Sequence, residues 1–261
     1  MELIVCEDVG TIATLVADAI AGLLERRPDA VLGLATGSSP LAIYDELHRR
    51  HPAGEVSFAR ATGFALDEYV GLPADHPQRY QKVLDAALVS RVDFAPGAVR
   101  APDGTAADLV EACAEYEQAI TAAGGVDLQI LGIGSDGHIA FNEPGSSLAS
   151  RTRLKTLTEQ TRRDNARFFA PDVDAVPRHC LTQGLGTIME ARHVVLVATG
   201  SAKAIAVHQL VEGPVSALWP ASVLQLHPHV TVLVDAAAAG RLQLADYYRA
   251  AYDGKPAWQG I

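Results

Sequence analysis

A chain of 261 residues with 21 Lys and Arg against 31 Asp and Glu has a formal net charge of −10, which argues against general nucleic-acid binding and leaves only local basic pockets for small anions. Hydrophobic residues make up 49% of the chain, yet no run reaches the roughly 18 apolar residues of a membrane span. The N-terminus lacks the zones of a secretory signal, and Cys6, Cys113 and Cys180 form no Cys-x-x-Cys pair, so reduced thiols in a soluble cytoplasmic protein are expected.

Glu2–Cys6 reads as a short strand, and apolar residues at helical spacing predict an amphipathic helix over Thr11–Arg26. Val31–Ala35 is continuously apolar, as in a strand covered on both faces. Thr36-Gly37-Ser38-Ser39-Pro40 follows, then a helix over Leu41–Arg49, with Ser39 expected as its N-cap and Pro40 at its first position. Such a junction is either a plain strand-to-helix turn or an anion cradle built from N–H groups, hydroxyls and a helix dipole. No Gly-Lys-Ser/Thr follows, so it is not a Walker loop.

Ala61–Leu66 is the third apolar strand, and it runs into Asp67-Glu68. These acids lie either in a solvated turn or at the strand end where open α/β sheets place their ligands. Helices are expected over Arg79–Leu88 and Ala106–Ala122, and a central strand follows from Asp127 up to Gly132. Residues 145–156 are polar and basic with no helical period. Thr158–Cys180 is Arg-rich and weakly patterned, which suggests a mobile cover over a site. His193–Thr199 is a strand, Gly200-Ser-Ala-Lys203 opens a helix through Leu210, Val230–Asp235 is the last strand, and Leu242–Arg249 a terminal helix. Together these predict a single domain with a doubly wound, mostly parallel α/β sheet: Rossmann-like and open, with helices on both faces and a lid over roughly 158–180.

Chemistry concentrates after the central strand, where Gly132, Gly134 and Gly137 are joined by Asp136, His138 and Glu143. The glycine spacing matches a dinucleotide fingerprint. Its third glycine opens no helix, however, and Lys155 stands where an acid is needed. Metal ligation by Asp136, His138 and Glu143, or at His227 and His229, lacks any His-Glu-x-x-His or deaminase zinc pattern. An acid–base relay, with a carboxylate on each side of one imidazole, suits the residue types best. A structural histidine among surface carboxylates is the bland alternative.

Leu66-Asp-Glu-Tyr-Val-Gly-Leu72, Gly134-Ser-Asp-Gly-His-Ile-Ala-Phe-Asn-Glu-Pro144 and Ser150-Arg-Thr-Arg-Leu-Lys-Thr156 resemble the glucosamine-6-phosphate deaminases from the first strand to Val234. In the related 6-phosphogluconolactonases, Asp-Gly-His is usually followed by a different, Thr-containing continuation. The resemblance implies conversion of D-glucosamine 6-phosphate and water to D-fructose 6-phosphate and ammonia, in amino-sugar catabolism, with no metal or organic cofactor. It implies that His138, held by Asp136 and Glu143, assists ring opening, and that Asp67 moves the C2 proton towards C1. It implies a phosphate loop at Thr36, Gly37, Ser38 and Ser39, with Arg167 and Lys203 as basic anchors.

Some members of that family are hexamers activated by N-acetylglucosamine 6-phosphate between subunits. The matching residues here are Ser146, Arg153, Lys155 and Thr156, with Tyr247 a weaker match in a divergent tail. A homo-oligomer with such an activator is the corresponding expectation. One departure stands beside the proposed base: Ala65 replaces a usual Asn, which bears on how that loop is held. A lactonase on the same scaffold and a non-catalytic sugar-phosphate sensor are the competing functions.

Overall fold

A computed structural model describes residues 1–170 and 172–261. Seven strands form one parallel sheet: β1 (Glu2–Cys6), β2 (Val31–Leu34), β3 (Thr62–Ala65), β5 (Val99–Arg100), β6 (Leu128–Leu131), β9 (His193–Ala198) and β10 (Val230–Asp235). Their order is β1-β10-β9-β6-β2-β3-β5, parallel throughout. The chain leaves β2 towards β3 and β5, then returns to β6 on the other side of β2. The crevice between the loops after β2 and β6 is therefore the switch point, where a doubly wound sheet binds its ligands. β2, β6 and β9 are buried at every position, which explains why they read as mostly apolar runs, with Gln129 and His193 the polar exceptions.

The helices are α1 (Val9–Arg26), α2 (Leu41–Arg50), α3 (Tyr80–Ala87), α4 (Leu109–Ala122), α5 (Glu159–Asn165), α6 (Leu185–Ile188), α7 (Ala204–Val211) and α8 (Ala245–Asp253). α1 buries Ile12, Ala13, Val16, Ala17, Ile20 and Leu24, and Asp8 caps it through Thr11 N. Ser39 is not the N-cap of α2. Pro40 occupies the cap position in αR geometry without a side-chain bond, and its carbonyl accepts the first helical bond from Tyr44 N. Ser39 instead points at the β6 loop: a Cβ placed on Gly132 would lie 3.1 Å from its hydroxyl.

Beside the parallel sheet stands a second sheet that the sequence pattern does not reveal. β4 (Asp67–Tyr69), β8 (His179–Thr182) and β7 (Arg153–Thr156) form an antiparallel trio with β8 in the middle. Asp67 is thus not in a solvated turn: buried just past the C-terminal end of β3, it begins β4 after the chain turns at Leu66. The 158–180 segment also departs from a merely draped cover. Leu157, Ala166, Phe169, Val176 and Cys180 pack with Tyr69, Leu72 and Phe141 in a small core of their own. Within it, the buried Arg162 donates to the carbonyls of Val173 and Val176 and pairs with Glu159.

At the opposite end of the parallel sheet His193 and His229 stack face to face, ring centres 3.7 Å apart. His193 Nε2 lies 3.0 Å from Thr231 Oγ1. Burial first, then the neighbouring His229, His227 and Lys255, push His193 down to about 3. Its folded value is below the unfolded one near 6.5, so its stabilising contribution is present above that pH and is lost as pH falls towards 3. Thermal melts between pH 7.5 and 4 should therefore slope downward, and His193→Gln should flatten the slope. An unchanged slope in that variant would assign the acid sensitivity elsewhere.

Candidate active site

A cavity of about 300 Å³ opens at the switch point. From β2 it receives Thr36, Gly37, Ser38 and Ser39, and from the β3–β4 bend Asp67. The β6 loop supplies Asp136 and His138, the 158–180 segment Arg167, and the start of α7 Lys203. Residues drawn from five separate parts of the sequence thus face one space.

The phosphate-loop candidates have the backbone an anion cradle needs. Gly37 sits at φ +85°, where a side chain would be strained, and nothing lies within 4 Å of the position a Cβ would take. Lys203 follows another left-handed glycine, Gly200 (φ +85°), whose N–H donates to the Asp235 carboxylate at 2.9 and 3.1 Å. Asp235 also accepts from Ala238 N at 2.7 Å, so the end of β10 sets the turn that presents Lys203. Nothing in the sequence marks Asp235 for this role. Burial lowers the Lys203 ammonium below its ordinary value; Arg167 adds to this, while Asp164 and Asp136 oppose it. Two cations, Arg167 and Lys203, converging on one pocket suit a phosphate site.

Asp67 is 6% exposed, and its carboxyl is held well above the usual carboxylate range, by burial first and then by Glu68. The bend preceding it is pinned from outside. The Ala65 carbonyl accepts from Tyr116 Oη at 2.6 Å and Gln183 Nε2 at 2.9 Å, and the Leu66 carbonyl accepts from Gln183 N at 2.8 Å. These bonds hold the loop at the position where the family resemblance expects Asn. Gln183 is itself buried, and its carbonyl accepts from Asn142 Nδ2 at 2.8 Å, which joins the Asp67 arm to the His138 arm.

His138 lies on a tight loop closed by Gly134 N to His138 O and Gly137 N to Gly134 O, with Gly137 at φ +82°. Its Nδ1 is 2.7 Å from Asp136 Oδ1. Burial raises the Asp136 carboxyl, but the nearby imidazole and the His138 N–H outweigh it, so the group stays below its ordinary value. Ala140, two residues on and also at the cavity, is in the left-handed region at φ 50°, a strain commonly stored at working sites.

Glu143 forms no ion pair with His138 among the described residues, where the carboxylate partner of the imidazole is Asp136. The buried Glu143 carboxylate accepts from Thr158 N at 3.1 and 3.2 Å and from the hydroxyls of Thr158 and Thr161. Of the two carboxylates expected beside the imidazole, Asp136 is the one in direct contact with it. Glu143 instead ties the His138 loop to the 158–180 segment through partners that local spacing could not reveal. His227 and His229 precede β10 at the far end of the sheet, away from His138.

The second basic group is partly assembled. Arg153, Lys155 and Thr156 share β7, with Arg153 Nη1 donating to Asn142 Oδ1 at 2.9 Å. Ser146 is buried, and its hydroxyl has no partner among the described residues. Tyr247 is not brought to them: it is 67% exposed on α8, which packs against the edge strand β1.

An open parallel sheet whose switch-point crevice gathers a Gly/Ser/Thr loop, two cations, two carboxyl groups and an imidazole has the construction of an α/β enzyme for small phosphorylated compounds. The chain belongs to the family described as glucosamine-6-phosphate isomerases/6-phosphogluconolactonase, whose model matches residues 8–233. Glucosamine-6-phosphate deaminases of Mycolicibacterium smegmatis and Beutenbergia cavernae are each 72% identical to it over the full length of both chains. A solved monomeric glucosamine-6-phosphate deaminase superposes with a TM-score of 0.90 at 42% identity, covering 93% of this chain and 100% of that one. The 6-phosphogluconolactonase of Trypanosoma brucei shares the fold at 22% identity, with a TM-score of 0.75 over 92% of this chain and 98% of that one.

Proposed function

We propose that this chain converts D-glucosamine 6-phosphate and water to D-fructose 6-phosphate and ammonia, a step of amino-sugar breakdown in the cytoplasm. The observation that carries this reading is the meeting of Asp67 and the Asp136–His138 pair in one cavity beside the phosphate-loop residues and Lys203. Aldose–ketose chemistry needs that division of labour, with one group working at the ring oxygen and another at C2.

Thr36, Gly37, Ser38 and Ser39 supply N–H and hydroxyl donors to the phosphate, and Arg167 and Lys203 neutralise it, which fixes the distance from C6 to the reacting carbons. His138, oriented by Asp136, relays the proton between the anomeric hydroxyl and the ring oxygen as the ring opens. Asp67 then takes the C2 proton, and the electron pair moves into an enolamine. Reprotonation at C1 leaves an imine at C2. Water adds there and ammonia departs, giving the ketose. A base kept above the usual carboxylate range by its surroundings binds that carbon-bound proton more strongly than an ordinary Asp.

The 158–180 segment contributes Thr161, Asp164 and Arg167 to the cavity and serves as the lid, within a single domain. The Ser146, Arg153, Lys155 and Thr156 group would take a second phosphate, that of N-acetylglucosamine 6-phosphate, as an activator at a subunit boundary. The monomeric relative makes sedimentation with and without that ligand the direct check on assembly.

The decisive experiment incubates the purified chain with D-glucosamine 6-phosphate. Equal release of fructose 6-phosphate and ammonia is expected. Cleavage of 6-phosphogluconolactone with neither product formed would overturn the reading in favour of a lactonase. Binding without turnover would overturn it in favour of a sensor.

A further inference from the structure

Glu68, beside the proposed base, is 0% exposed. Its Oε1 accepts from Tyr69 N and Tyr80 N at 2.9 Å each, and its Oε2 accepts from Gln81 N at 3.1 Å. Arg79 Nε stands 3.7 Å from the same Oε2. The carboxylate therefore closes the N-terminal turn of α3 from another strand, and in doing so fastens α3 to β4. α3 in turn builds a wall of the cavity: Tyr80 and Val83 line it, and the Tyr80 hydroxyl donates to Tyr69 Oη at 3.2 Å.

A helix start can be capped by a local Ser or Asp at little cost, whereas burying a charge beside another carboxylate is expensive. The position needs a further reason, and the surroundings of Asp67 supply it. Asp136, His138, Arg167 and Lys203 share the cavity with Asp67. The ionisable groups that bear on it from the packed elements are Glu68 and Tyr69 on β4, Tyr80 on α3, Tyr116 on α4 and Cys180 on β8. Burial pushes the three tyrosines and the cysteine upward, so they are uncharged near neutrality. Glu68 is the acid among them that can carry charge there. Burial lifts its own carboxyl above the ordinary value, and the three N–H donors and Arg79 offset only part of that lift.

We propose that Glu68 is a positioning residue for the reaction: its buried carboxylate, next in the chain to Asp67 and 3.7 Å from Arg79, locks the Asp67 strand to the α3 wall. This rests on the reading of Asp67 as the C2 base. It makes Glu68 and Arg79 opposing controls on one ionisation. Removing the acid relieves the repulsion on ionised Asp67, and removing the cation strengthens it.

The test is the pH dependence of kcat/KM with D-glucosamine 6-phosphate, whose own ionisations are common to every variant. The low-pH limb should move to lower pH in Glu68→Gln and to higher pH in Arg79→Gln, each by about half a unit, or threefold in proton affinity. KM should stay within about twofold while kcat falls in Glu68→Gln, because the phosphate anchors are untouched. Arg79→Gln leaves the three N–H bonds of Glu68 in place, so it decides the matter alone if Glu68→Gln does not fold. A limb unmoved in a folded Glu68→Gln, with only the melting temperature lowered, would reduce Glu68 to a structural cap and overturn the proposal. An unmoved or downward-moving limb in Arg79→Gln would overturn it too. Failure of the underlying reading looks different, because Asp67→Asn would then keep exchanging the C2 proton.

Discussion

Asp67→Asn is expected to cut turnover of D-glucosamine 6-phosphate by roughly 10³-fold, within the range supplied by a positioned general base, and at the same time to raise the melting temperature at neutral pH. The two effects have one cause. The Asp67 carboxyl is buried against Glu68, and its folded value lies well above the ordinary 3.8. For such a group the stabilising contribution is complete below the unfolded value and is lost as pH rises through the folded one. An amide of the same shape never ionises and escapes that loss. The stability gain should therefore be absent near pH 3 and grow as pH climbs past the ordinary carboxylate range. Melts of both proteins from pH 3.5 to 8, alongside C2 proton exchange, check the pair. Parallel melting curves at all pH values would show that Asp67 carries no ionisation penalty, and retained exchange would remove it from the role of base.

Gly134→Ala should lower kcat/KM by about 10²-fold or more, the scale on which a small misplacement of reacting groups acts. A methyl group there would come within 2.3 Å of His138 Nδ1 and Cε1 and 2.7 Å of Asp136 Oδ1. Gly134 does not use a left-handed backbone, so alanine is tolerable to the main chain and the imidazole and carboxylate must move instead. A shifted ring should cost far more catalysis than stability, with unfolding changed by about 1–2 kcal/mol, an ordinary value for a single substitution. A folded variant with near-normal kcat/KM would mean that His138 is not held where the chemistry needs it. Substrate affinity, measured by competition with fructose 6-phosphate, should change little.

The parallel sheet was legible because burial on both faces leaves long apolar stretches, as in Val31–Leu34 and residues 194–198. Asp67, Asp136 and His138 were legible because ionisable groups at strand ends are conspicuous against such runs. The antiparallel trio was not. Arg153-Leu-Lys-Thr alternates only between half-buried and exposed, and each pairing joins residues far apart in the chain. The partners of Glu143 were hidden for the same reason: an acid five residues after a histidine reads as its neighbour, yet a tertiary contact with Thr158 and Thr161 claims it. Gln183 and Asp235 carry no local signal, since what they do is donate to and accept from backbone brought near only by the fold.

Thr182 pairs with Asp67 on one edge of β8 and with Arg153 on the other, and its hydroxyl accepts from Phe141 N at 3.0 Å. Three parts of the chain are thereby read against one residue, and a one-residue slip there would turn every side chain of the strand to the opposite face. Changes in length are thus unequal in their consequences. Insertions into the exposed approach around residues 172–175 leave these pairings in register, whereas a single residue gained or lost between His179 and Gln183 would misalign all three at once.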